Sequence, residues 1–237
     1  TLTIGIEGGS NETVDLAGLQ DGTGTDDQNI SGSGLSGTTL TIGIEGGNSE
    51  TVSLSSLSNA DSINDLSDAL IENNSLYLGN DPSSSTSTAE YNVAVGATAL
   101  GAITTGDKNV AVGYHSLRLN TTGLYNTAVG YDSLQANTSG TSNTALGQNA
   151  MSSNTTASVN TAIGHVAMES TTTGSSNTAI GAHAMRNNTT GANNSATGYD
   201  ALTANITGED NSAFGYDALT INTTGSNNVA LGSEALD

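Results

Sequence analysis

The side chains whose type and spacing bear on chemistry are four tyrosines, three histidines and a set of carboxylates. Tyr131 follows Tyr114, and Tyr216 follows Tyr199, at one and the same spacing. The next position in each stretch holds His115, Asp132, Asp200 or Asp217, and His183 takes the same place in its own stretch. A row of exposed tyrosines suits stacking against sugar rings, because the ring has an apolar face and a hydrogen-bonding tip. Tyr114, Tyr131, Tyr199 and Tyr216 are therefore the candidate glycan contacts. The plainer alternative is that these rings pack between chains or over their neighbours. His115, Asp132, His183, Asp200 and Asp217 are the candidate metal ligands. If their column faced a threefold axis, three copies of each group would converge and require a divalent cation. No other cofactor is expected.

Catalysis is poorly served. His115 and His183 share a column but lie four steps of that spacing apart, on the order of 19 Å at the rise of stacked strands. His165 belongs to the neighbouring column. There is no cysteine, Lys108 is the one lysine, and no Ser-His-Asp grouping can be assembled. The chain reads as a non-enzyme.

The elements that position these residues follow from a strict repeat. Asn-x-Ala-x-Gly begins at Asn92, Asn109, Asn126, Asn143, Asn160, Asn177, Asn194, Asn211 and Asn228, always seventeen positions apart. Counting the Asn as column one, the third column is always Ala and the fifth always Gly: Gly96, Gly113, Gly130, Gly147, Gly164, Gly181, Gly198, Gly215 and Gly232. Such glycines mark a positive φ or a close backbone approach. The fourth column is mostly aliphatic, the eighth Ser or Ala, the ninth Leu or Met. A second Gly closes each complete unit except one, where Ala157 stands in. Each unit holds two short apolar stretches and two Gly/Asn turns, so it reads as two strands and two turns. So short a unit cannot make two packed helices, and the Gly-Asn-Thr density opposes helix. The unit is one coil of a parallel β-solenoid, and eight stacking steps span roughly 40 Å.

Composition agrees. Hydrophobic residues are 34% of 237 and aromatics 3%, too few for one conventional globular core. With about two large aliphatics per coil, lateral partners are expected to supply the rest of the core, most economically as a homotrimer. The net charge of −20 disfavours nucleic acid and anionic membrane surfaces. No run is long and apolar enough to insert in a membrane. Asn120, Asn137, Asn154, Asn188, Asn205 and Asn222 start formal glycosylation triplets. Side-chain amide bonds stacked from coil to coil explain them more simply.

The first ninety residues differ, carrying 14 acids and no base. Thr1–Gly9 returns as Thr39–Gly47, and Leu2, Ile4 and Ile6 alternate with polar residues as in a half-buried strand. Gly8–Asn11 reads as a hairpin loop into a second strand, and Asp21–Gly37 as a polar connector holding Asp21, Asp26 and Asp27. Ile63, Leu66 and Leu70 have helical spacing with Asn73-Asn74 as a stop, predicting a short helix over 61–72. Leu76–Leu78 reads as a strand. The expected organisation is two hairpin repeats over 1–57, a helix, strand and connector over 58–90, and the solenoid over 91–237.

The Asn126–Leu134 unit, Asn-Thr-Ala-Val-Gly-Tyr-Asp-Ser-Leu, resembles repeats of phage-type tail-fibre and related bacterial fibre proteins, many of which end in an endosialidase-type intramolecular chaperone. It is also similar to the heads of YadA-like trimeric autotransporter adhesins, whose coil is shorter. The resemblance covers 92–237, and the Thr-Leu-Thr-Ile hairpins resemble the stalk before such arrays. It implies a homotrimeric, all-β fibre, extracellular or virion-borne, on a tail, an injection machine or a cell surface. Its partners would be other copies of itself, other fibre or baseplate proteins, and a host or surface receptor of glycan or protein. The chain starts within one repeat and stops within another, as a piece of a longer protein would. The function expected is therefore structural and adhesive. The alternatives are a polysaccharide-degrading fibre with an intersubunit site and an ice- or mineral-binding solenoid.

Overall fold

The computed structural model describes residues 69–79, 82 and 85–237 with their side chains, and the backbone of 2–4, 12–14, 34–36, 39–42 and 50–53. The chain divides into two compact units, Thr1–Asn59 and Ala60–Asp237.

In the first unit, β1 (Leu2–Ile4) pairs antiparallel with β2 (Glu12–Val14). β3 (Gly34–Ser36), β4 (Thr39–Ile42) and β5 (Glu50–Ser53) form an antiparallel meander. The two Thr-Leu-Thr-Ile stretches are thus hairpin strands, and the end of the expected connector is itself a strand. The Gly8–Asn11 loop and Asp21, Asp26 and Asp27 lie outside the described residues.

The second unit is an all-β parallel solenoid. β8 (Val93–Val95), β9 (Val110–Val112), β10 (Thr127–Val129), β11 (Thr144–Leu146), β12 (Thr161–Ile163), β13 (Thr178–Ile180), β14 (Ser195–Thr197), β15 (Ser212–Phe214) and β16 (Val229–Leu231) pair in register, each strand one repeat after the last. Each coil holds one strand, where the sequence reading has two. The second apolar stretch runs through left-handed backbone at columns seven and nine, as in His115 (φ 57) and Leu117 (φ 50), which breaks the extended pleat. Backbone bonds between coils continue there regardless: Leu117 N–H donates to Ser133 O at 3.0 Å, and Thr121 N–H to Thr138 O at 2.9 Å.

The expected helix is absent where its residues are described. β6 (Ala69–Glu72) pairs antiparallel with β7 (Ser75–Leu78), and residues 61–68 lie outside the described set. Asn73 (φ 47) and Asn74 (φ 58) are both left-handed, the geometry of a type I′ hairpin turn. Asn-Asn reads equally well as a helix stop, and the short Leu spacing could not separate the two. The hairpin covers one end of the solenoid. β7 pairs with β8, Ser75 stands in the asparagine column and accepts from Asn92 N–H at 2.9 Å, and Tyr77 fills the alanine column, fully buried.

The interior of each coil is lined by side chains of its own chain. The alanines of column three, the Ala or Ser of column eight and the Leu or Met of column nine point inward. Ala128, Ser133 and Leu134 are all buried. Two asparagine ladders complete it. Along the first, Asn143 Nδ2–H donates to Asn126 Oδ1 (3.0 Å) and Ala157 O (2.9 Å), and its Oδ1 accepts from Asn160 N–H (3.1 Å). Along the second, Asn137 donates to Asn120 Oδ1 (2.8 Å) and Asn154 to Asn137 Oδ1 (2.8 Å). The amides of the formal glycosylation triplets are therefore engaged between coils.

That second ladder breaks at Thr171, leaving Asn154 Oδ1 and Thr171 Oγ1 buried without partners. The break accompanies a second departure one coil earlier. At Gly123 and Gly140, in the closing glycine column, a Cβ would crowd the same coil's asparagine Oδ1 and the next coil's carbonyl, and would lie 2.9 and 3.1 Å from the next coil's ladder amide. Ala157 carries such a Cβ, and the shorter Thr171 in the next coil makes room for it. The two departures compensate each other. Thr171→Asn alone should therefore destabilise by about 1–2 kcal/mol through overpacking. Ala157→Gly with Thr171→Asn should stabilise by about 1 kcal/mol by closing the ladder. Urea denaturation of the two single variants and the double checks the sign reversal.

Candidate functional site

Columns six and seven follow the strand and its glycine, so their side chains lie on the first turn of each coil. The glycine sets the turn. Gly113 has φ 128, and a Cβ there would lie 2.5 Å from Gly130 O, so neither another backbone nor a side chain fits. Column seven is left-handed: Asp132 (φ 53), His183 (φ 62), Asp200 (φ 54) and Asp217 (φ 53). Asp tolerates this conformation better than most residues, whereas Val166 (φ 50) is β-branched and adopts it against its preference.

The turn carries two clusters. In the first, Tyr114 and Tyr131 stack with centroids 5.3 Å apart and planes 22° apart, and Tyr114 also stacks on His115 at 3.6 Å. His115 Nδ1–H donates to Asp132 Oδ1 at 3.0 Å, and Gln135 Nε2 lies 3.2 Å from the same nitrogen. In the second, Tyr199 and Tyr216 stack at 5.6 Å with planes 9° apart, and His183 tilts against Tyr199 at 5.2 Å. His183 Nδ1–H donates to Asp200 Oδ1 at 3.0 Å. The Asp217 carboxylate beside Tyr216 raises the phenol's pKa, by its charge and by accepting the phenol's hydrogen bond.

The tyrosine pairs are thus brought together, each with an imidazole–carboxylate pair bridging adjacent coils. Column seven forms pairs, and among the described residues no three His, Cys, Asp or Glu groups are placed to hold a metal ion. Asp217 stands apart from both pairs. His165 and His183 lie 5.7 Å apart, a diagonal contact between columns six and seven that a column-by-column reading misses. Two further contacts join equivalent positions of adjacent coils. Lys108 Nζ donates to Tyr125 Oη at 3.2 Å, and Arg186 Nε to Glu169 Oε2 at 3.0 Å.

A different face is set by the strands. Alternation along each strand turns column three inward and columns two and four outward. Column four forms an uncovered aliphatic row, including Val95, Val129, Ile163, Ile180 and Phe214, each 36–42% exposed. Beside it in column two stand Thr127, Thr144, Thr161 and Thr178, partly exposed.

Among the described residues no helix is long and apolar enough to cross a membrane. Compared with family models, with curated proteins and with solved structures, the chain matches none.

Proposed function

We propose that this chain is a structural and adhesive segment of an extracellular or virion-borne fibre, non-enzymatic, in which three copies associate along the outward aliphatic row. The carrying observation is that columns three, eight and nine are buried inside the coil while six of the nine column-four side chains are exposed. An apolar row of this kind suits an interaction surface. Strands so short offer only two outward ranks, too narrow for a broad sheet sandwich. Three such ridges instead converge about one axis. Copies joined this way form a stiff spacer that carries its outer turns in threefold repetition to a receptor, and other fibre or baseplate proteins would hold its ends.

The absence of cysteine makes the arrangement directly testable. Ile180→Cys should give disulfide-linked dimers on mild oxidation, because three copies of column four face one another. Asn187→Cys, an exposed position on the turn of the same coil, should stay unlinked. Cross-linking at position 187 and none at 180 would place the contact elsewhere and overturn the proposal.

A further inference from the structure

The geometry points to the outer ends of the two tyrosine stacks, at Tyr131 and Tyr216, as a pair of binding subsites for uncharged pyranose rings. This deepens the fibre reading by naming the ligand class, and its failure would leave the self-association above untouched.

Within each stack one ring has two ring neighbours and the other has one. Tyr114 contacts His115 and Tyr131, and Tyr199 contacts His183 and Tyr216. The next positions in column six are Gln148 after Tyr131 and Ser233 after Tyr216, neither of which offers a ring to cover the outer face. Exposure follows: 51% and 52% for Tyr131 and Tyr216, against 44% and 45% for their partners. Each outer ring is fixed from behind by another aromatic ring. Little side-chain freedom is left to lose on binding, which favours a rigid aromatic platform.

The surroundings select the ligand. A pyranose presents a C–H face to an aromatic ring and hydroxyls at its rim. Beside Tyr131 stands Asp132, fixed by His115, and beside Tyr216 stands Asp217, which accepts from its phenol. These groups accept from or donate to hydroxyls. A quaternary ammonium ion would need rings enclosing it from several sides, and the rings here are parallel. Anionic sugars are disfavoured by the net charge of −20, with only three bases in the chain. Tyr131 and Tyr216 stand five coils apart in one column, about 24 Å at the coil rise. A polymeric glycan therefore reaches both, and binding is bivalent within one chain.

The test is affinity electrophoresis of the full chain in gels containing a neutral polysaccharide (dextran, mannan or galactan, in turn) or the anionic polymer heparin. The expected result is retardation by at least one neutral polymer and none by heparin. Tyr131→Ala and Tyr216→Ala should each weaken binding several-fold, and the double variant should lose it by more than tenfold. Circular dichroism should be unchanged, since both rings are half exposed. No retardation by any neutral polymer, or equal retardation of the double variant, overturns the inference. Retardation by heparin alone does so as well.

Discussion

Alanine at Gly164 is expected to lower stability by about 3–5 kcal/mol, combining a backbone conformation essentially reserved for glycine with overpacking against a neighbouring coil. Gly164 has φ 142, and its Cβ would fall 2.5 Å from the carbonyl carbon of Gly181 and 3.0 Å from Ala182 N. All these atoms are backbone, so no side-chain rotation relieves the overlap. The coils cannot separate either, because Gly164 N–H donates to Leu146 O and Gly181 N–H to Ile163 O, both at 2.8 Å. For a chain of this size the midpoint of thermal unfolding should fall by about 10 °C. Gln148→Ala, in the same column region but exposed, should change it little. Because each coil touches only its neighbours, hydrogen exchange should accelerate first around residues 160–182. Uniform acceleration along the whole array would contradict a stack of nearest-neighbour coils.

Asn143→Leu should also destabilise, for a different reason. The substitution keeps size and burial but removes two donor bonds and one acceptor from the interior. Ala157 O keeps the Asn154 amide and Asn126 Oδ1 keeps the Asn143 N–H, but Asn160 N–H is left buried without its partner. One orphaned donor costs about 1–3 kcal/mol, and a loss of that size is expected. The matching change at Asn228, where the same ladder is only partly buried, should cost less than half as much. Urea midpoints of the two variants measure the contrast. Equal effects would mean that the asparagines act through turn preference and not through the buried ladder.

Much of this architecture was legible in the sequence because a solenoid writes its structure into its period. The Asn, Ala and Gly columns each occupy one place on the coil. The stacked amide bonds at Asn120 and Asn137 followed from sequon-like triplets recurring at that period. What periodicity cannot carry is direction. Column four is mostly aliphatic and column nine is Leu or Met, yet Val129 faces out and Leu134 is buried, because strand alternation orients one and left-handed turns the other. The same turns explain why the second apolar stretch is not a strand. The helix expected over 61–72 failed at Asn73-Asn74, whose paired left-handed conformation makes a hairpin turn from the same residues that end helices.

At the candidate site the tyrosine pairs and the His–Asp pairs were visible as neighbours one full period apart. The contact between His165 and His183 was hidden because it falls one position off that period and runs diagonally between columns. The pairing of Ala157 with Thr171 was hidden for a related reason. Each looks like isolated drift in its own column, and only the position of a Cβ against the next coil's amide joins them.

The central claim is that a coil lined by its own side chains is held in a fibre by its outward aliphatic row. Sedimentation equilibrium of the unmodified chain at micromolar concentration tests it most directly. The predicted result is a single species at three times the chain mass of 23.5 kDa. A monodisperse species of 23.5 kDa would contradict it.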